Sequence, residues 1–193
     1  MDAIETIEKD GWKVEVFPDL DATSPDDWDN LATFVHSTNY TFGEPMRHEP
    51  SRGWRNYIRA LGIFGDDVAA VLPVRVEDYG SRGVTVYDSD AENANGVLYT
   101  THKRLNELCG EDPQYHAREW VENALKGELE VWRQYMEGEV YGWAVTRPDG
   151  SDDDSCWGFY GLDYAVQEAT EALDACIEHE AREVAKIERI TAS

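Results

Sequence analysis

Val140-Tyr-Gly-Trp-Ala-Val-Thr-Arg-Pro-Asp-Gly150-Ser-Asp-Asp-Asp-Ser-Cys-Trp-Gly-Phe-Tyr160, followed by Gly161-Leu162, decides the fold class. Val140 to Thr146 is short, β-branched and aromatic, the composition that packs on a pleated surface. Asp149-Gly150 is a hairpin-type turn signal, and Cys156 to Tyr160 reads as the returning strand. After Gly161 the period changes from two to between three and four. Leu162, Val166, Ala169, Leu173, Ile177, Val184 and Ile187 recur on one side, which predicts a C-terminal helix from Leu162 to about Ile187.

Upstream, Val121, Ala124, Leu125, Leu129, Trp132 and Met136 predict a long helix over Gln114–Glu137. A shorter helix starts at Thr101 or His102 and stops at Gly110. Val68 to Val76, Val84 to Tyr87 and Val97 to Thr101 read as strands, and so does Gly11 to Phe17, where Trp12, Val14 and Val16 alternate with Lys13, Glu15 and Phe17. Ser24 caps a helix that Pro25 begins and that runs to about Ser37, with Asp26 and Asp27 near its positive end. Trp54 to Leu61 reads as another helix. Without regular βαβ alternation, the expectation is an α+β fold: an antiparallel or mixed sheet packed by a long helix and a C-terminal helix. No linker divides the 193 residues, so one compact domain, 1–193, is expected; the alternative is two lobes, 1–110 and 111–193.

The net charge is −23, from 40 acidic against 17 basic residues. A surface of that sign repels phosphates, so direct nucleic-acid binding is not expected, and the Arg47, Arg52, Arg55, Arg59 cluster is interrupted by Glu49. Acids run from Asp2 to Glu188, and Lys is scarce beside Arg. This spread favours adaptation to molar salt, where the Debye length is about 3 Å and mutual repulsion is screened. The sharper reading is a surface that imitates the phosphates of DNA. Cys109, Cys156 and Cys176 show no CxxC spacing, and no signal peptide is evident, so reduced thiols and a cytoplasmic setting are expected. No apolar run is long enough to cross a bilayer.

Tests for chemistry point away from an enzyme. His36, His48, His102, His116 and His179 are scattered and read as surface or capping residues; Glu178-His179-Glu180 lacks the second histidine of a zinc helix. Asp19-x-Asp21 lacks the glycine and terminal glutamate of a calcium loop, and Asp152-Asp153-Asp154 reads as a solvated turn. Cys156 sits among acids that oppose thiolate formation, so a buried, inert thiol is expected. No phosphate loop or nucleophile elbow occurs. No cofactor and no metal are expected. In Trp28-Asp29-Asn30-Leu31, Asp29 and Asn30 are able to meet a ligand edge, but core and capping roles fit them better.

Together the blocks Pro18 to Leu31, Asn39-Tyr40 to Gly43, Gly96-Val-Leu-Tyr-Thr-Thr101, Gly138-Glu-Val-Tyr-Gly-Trp143 and Asp154-Ser-Cys-Trp-Gly-Phe-Tyr-Gly161 carry a resemblance. The chain resembles a group of uncharacterised acidic proteins carried by phages, archaeal viruses and plasmids. The resemblance implies a mobile-element setting and, through it, a non-enzymatic protein that binds a host DNA-processing or defence protein, as antirestriction DNA mimics do. The faces expected to do this carry Glu119, Glu122, Glu128 and Glu130 on the long helix, and Glu168, Glu171, Asp174, Glu178 and Glu183 on the last. An alternative is a small-ligand protein or enzyme in which Asp29, Asn30, Cys156, Trp157 and Tyr160 converge on one pocket. A third is an accessory or structural protein that self-associates.

Overall fold

The computed structural model describes residues 2–38, 42–45, 59, 67–80 and 83–191. The expected helix at Trp54–Leu61 and most of the arginine cluster lie outside them. In chain order the strands are β1 (Glu5–Lys9), β2 (Trp12–Pro18), β3 (Thr33–His36), β4 (Glu44–Pro45), β5 (Val68–Asp78), β6 (Val84–Asp88), β7 (Gly96–Thr101), β8 (Val140–Thr146) and β9 (Asp152–Tyr160). The helices are α1 (His102–Cys109), α2 (Pro113–His116), α3 (Arg118–Glu137) and α4 (Leu162–Thr191). The fold is α+β. Two sheets are present where one was expected, and each is packed by its own helix. The chain forms two compact units: Met1–Thr23 with Gly138–Ser193, and Ser24–Glu137 inserted between them. The division therefore does not fall at residue 110, because β8 pairs with β2 and β9 pairs with β8.

The first unit is an antiparallel sheet in the order β1-β2-β8-β9 with α4 on one face. The alternation of β2 fixes which face is covered. Trp12, Val14 and Val16 are buried against Trp143, Val145 and the α4 residues Ala165, Ala169 and Leu173. Alanines let the helix approach the two tryptophans. β1 escaped the sequence reading because Glu-Thr-Ile-Glu-Lys carries a single apolar side chain, as befits a charged edge strand. The apolar stripe of α4 continues past the sheet, leaving Val184 and Ile187 exposed.

The turn between β8 and β9 forms as its residues dictate: Gly150 has φ +84° and Asp149 accepts the Ser151 N–H at 2.9 Å. Further along β9, Gly158 (φ +88°) is the extra residue of a bulge between the Tyr141–Phe159 and Gly142–Trp157 pairs. Opposite it, Gly142 has no room for a side chain, since a Cβ there would sit 2.1 Å from Trp157 Cε3 and 2.9 Å from the Cys156 carbonyl oxygen. Trp157 thus lies flat on the Gly142 backbone and stacks with Phe17, centroids 6.4 Å apart. Gly142→Ala is expected to lower the stability of this unit by about 1–3 kcal/mol, read as a lower urea midpoint, with Trp157→Ala in the same chain recovering part of the loss.

In the second unit the sheet order is β4-β3-β7-β5-β6, antiparallel except for the short β3–β4 pair. Val121, Leu125, Leu129 and Trp132 of α3 pack on Leu31, Phe34, Val74, Val86 and Leu98. Residues 25–37 do not form the expected helix. Ser24 caps as predicted, its hydroxyl accepting the Asp26 N–H, but only a 3-10 turn follows over Pro25–Asp27. The chain then enters β3, whose Phe34, Val35 and His36 are all buried. The long helix is also shorter than expected: Ala117 (φ −62°, ψ 130°) is extended and separates α2 from α3.

Candidate functional site

The second unit contains an open cleft of about 330 Å³. Its walls come from the 3-10 turn (Asp26), the segment after it (Trp28, Asn30), Glu44, Arg104 on α1 and Trp132 on α3. Asp26, Asn30 and Arg104 are each held by hydrogen bonds. Both oxygens of Asp26 lie 2.9 Å from the Gly43 N–H, and Gly43 (φ +62°) brings its backbone so close to Phe34 that a Cβ would meet the Phe34 carbonyl oxygen at 2.8 Å. Asn30 Nδ2 donates to the Pro25 carbonyl oxygen at 2.6 Å. Arg104 donates through Nε and Nη2 to the Asn30 carbonyl oxygen at 3.0 and 2.6 Å, and through Nη2 to Asp29 at 2.6 Å.

Behind this segment, Glu128 accepts the N–H groups of Leu31 at 2.6 Å and Ala32 at 2.9 Å. Thr100 completes the clamp by donating to the Leu31 carbonyl oxygen at 2.8 Å. Burial pushes the Glu128 carboxyl above its ordinary value, against the opposing pull of the two N–H groups and Arg104. Glu128 is therefore a half-buried acceptor and not part of an acidic surface face. The sequence holds the signal: Glu128 lies three residues after Leu125 and four before Trp132, on the stripe that faces the core.

His36 departs from the expected surface or capping role. It is 1% exposed and packs between Phe34 and Phe42, centroids 5.4 and 4.5 Å away. Its Nε2 lies 2.5 Å from the Phe42 carbonyl oxygen, while Nδ1 faces the Thr38 N–H and hydroxyl. Nε2 thus carries the hydrogen and Nδ1 accepts. Both ring nitrogens are used in fixing the β3–Gly43 corner.

Of the residues expected to converge on one pocket, Asp29 and Asn30 meet at Arg104 in the second unit. Cys156, Trp157 and Tyr160 belong to β9 in the first. Trp28 is 40% exposed and so is not a core residue, whereas Leu31 is buried as expected. Tyr160 donates its hydroxyl to the Thr23 carbonyl oxygen at 2.6 Å, closing the end of the first unit. Cys156 is exposed, correcting the expected burial; it lies on β9, the edge strand of the sheet. Cys109 and Cys176 are half-buried; the Cys176 thiol on α4 is pushed up to about 11 by burial and by its contact with Asp153. Asp153 in turn pairs with Arg147, which also reaches Glu180 at 3.6 Å and lies over the Trp12 ring. Thiol labelling near neutral pH is expected to modify Cys156 in the native chain and to reach Cys176 only after denaturation, as read by peptide mass spectrometry.

The acidic residues fall unevenly. The first unit carries twenty acidic and six basic residues, net −14 over 79 residues; the second carries twenty and eleven, net −9 over 114. Several acids expected to form interaction faces are ion-paired locally. Glu122 pairs with Arg118 and Glu130 with Arg133, each at 2.7 Å. Asp174 pairs with Lys9 and Glu178 with Arg182, also at 2.7 Å, and Glu183 lies 3.5 Å from Lys186. Glu168 and Glu171 flank Tyr164 and Gln167 on the side of α4 away from the sheet, and Glu119 is exposed at the start of α3. Among the described residues no three His, Cys, Asp or Glu side chains gather as a metal site, and no helix is long and apolar enough to cross a membrane. No family model matches the chain, and no curated protein or solved structure matches it.

Proposed function

We propose that the protein is a non-enzymatic interaction protein of a mobile element, which binds a basic host DNA-processing or defence protein through its acidic surface. The observation that carries this reading is the concentration of charge in the first unit, net −14. There, Asp163, Glu168, Glu171, Asp174 and Glu178 follow the side of α4 that does not face the sheet. These five carboxylates span sixteen residues, whose fifteen steps cover about 22 Å of helix. That is one charge per roughly 5 Å, sparser than the one per ~1.7 Å of duplex DNA. Lys9 and Arg182 dilute it further. Such a ridge suits electrostatic steering and rim contacts with a basic surface better than a copy of the duplex.

The test is capture from a halophilic host lysate on the immobilised full chain, at molar salt, followed by elution with duplex DNA. A nuclease, methyltransferase or other DNA-binding protein should be retained and released by the duplex. Glu171→Lys with Glu178→Lys should weaken that retention. Recovery of no such protein, or retention indifferent to both treatments, would count decisively against the proposal.

A further inference from the structure

The cleft of the second unit holds a polar group that nothing in the described chain answers. Trp132 lines it and is 3% exposed, yet its indole N–H makes no hydrogen bond among the described residues. Nor is that nitrogen sealed from solvent, since among the described residues the sealed side-chain polar atom without a partner is Trp143 Nε1. The Trp132 N–H is therefore reached through the opening that its ring lines. An indole N–H only donates, so it calls for an acceptor from outside the chain. Further donors line the same opening. The Thr33 hydroxyl makes no hydrogen bond among the described residues, and Asn30 uses one of its two amide hydrogens, on the Pro25 carbonyl. Arg104 keeps Nη1, whose contact with Glu107 at 3.8 Å is beyond hydrogen-bond range.

Acceptors line the cleft as well. Asp26 and Glu44 are exposed carboxylates, and the Asn30 side-chain oxygen makes no hydrogen bond among the described residues. An anion satisfies the donors but is repelled by Asp26 and Glu44. A cation satisfies the carboxylates but strands the indole N–H and lies near Arg104. An apolar ligand strands both sets. A hydroxyl both donates and accepts, so several hydroxyls on one frame answer both sets.

We propose that this cleft binds a neutral polyhydroxylated ligand of monosaccharide size. One hydroxyl oxygen accepts the Trp132 N–H, and neighbouring hydroxyls donate to Asp26 and Glu44. The volume of about 330 Å³ lies at the small end of ligand pockets, which suits a single such ring. The site belongs to the second unit and owes nothing to the α4 ridge. A free sugar and the terminal unit of a glycan share this chemistry.

The probes are D-glucose, D-mannose and D-galactose, each titrated into the full chain while the indole N–H resonances are followed by NMR. The resonance lost in Trp132→Phe identifies that of Trp132. Acetate and methylammonium are the charged comparators. The expected result is a saturable shift of the Trp132 indole with at least one hexose, and none with either ion at the same concentration. Thr33→Val and Glu44→Gln should each weaken hexose binding by about fivefold while the urea midpoint stays unchanged. The methyl glycoside of the bound hexose separates the two sources: binding as tight as the free sugar supports a glycan terminus, and loss of binding supports a free sugar. No saturable shift with any of the three hexoses, an equal shift with either ion, or hexose binding indifferent to both substitutions would each overturn the site.

Discussion

Trp132→Ala is expected to destabilise the second unit by about 3–5 kcal/mol, more than any other single truncation discussed for this chain. Trp132 is 3% exposed and sits where α3 crosses β3. Its ring meets Phe34 edge-on at 5.2 Å between centroids and Phe42 at 5.8 Å. Removing it deletes the transfer term of a large aromatic and leaves a void that three separate elements border, so the surroundings cannot collapse into it. Phe34 and Phe42 also hold His36, so the loss propagates to the β3–Gly43 corner. Urea unfolding should show a lowered midpoint. Trp132→Phe should recover about half of the loss, because a ring remains against Phe34. A midpoint for Trp132→Ala within experimental error of the parent would contradict the packing described.

Glu128→Ala ranks second, with an expected loss of about 2–4 kcal/mol, since it strands the Leu31 and Ala32 N–H groups against α3. Glu128→Gln separates charge from hydrogen bonding. Burial raises the folded carboxyl above its reference value of 4.5, so the native chain holds this proton more tightly than the unfolded chain. This group's share of stability is therefore fully present below the reference value and is lost as pH rises through the raised folded one. Comparing urea midpoints from pH 4 to 7, the parent should lose stability with rising pH relative to Glu128→Gln. A difference that grows in the opposite direction would show that the two N–H groups and Arg104 outweigh burial.

These two residues also mark where the sequence was legible. The strands of the β8–β9 hairpin, β2 and the β5–β7 set are amphipathic or apolar enough to declare themselves, and α1 is bracketed by Thr101 and Gly110. Trp132 reads as core from its spacing alone. β3 does not, because four residues beside Ser-Pro-Asp-Asp look like the continuation of a capped helix; pairing with β7 overrides that local signal. Glu128 resembles one more surface acid in a strongly acidic chain, and only its place on the apolar stripe marks it as different. The cleft was half visible. Asp29 and Asn30 were singled out, but Arg104, which clamps both, is 74 positions from Asn30, and no local pattern links them. Exposure of Cys156 goes with its place on the edge strand β9, an edge that only the long-range sheet order defines.

The insertion of one unit within the other has a consequence for synthesis. Pro18 and its partner Tyr141 are 123 positions apart, and among the described residues β2 pairs only with β1 and β8. On the ribosome, the β1–β2 hairpin therefore emerges long before its partner β8, and is too small to hold on its own. The second unit can close before β8 leaves the exit tunnel, and β9 and α4 complete the first unit only after it. The inserted unit is thus free to form before the unit that surrounds it in sequence. A nascent chain stalled anywhere before Tyr160 carries an acidic N-terminal ribbon with its apolar face uncovered.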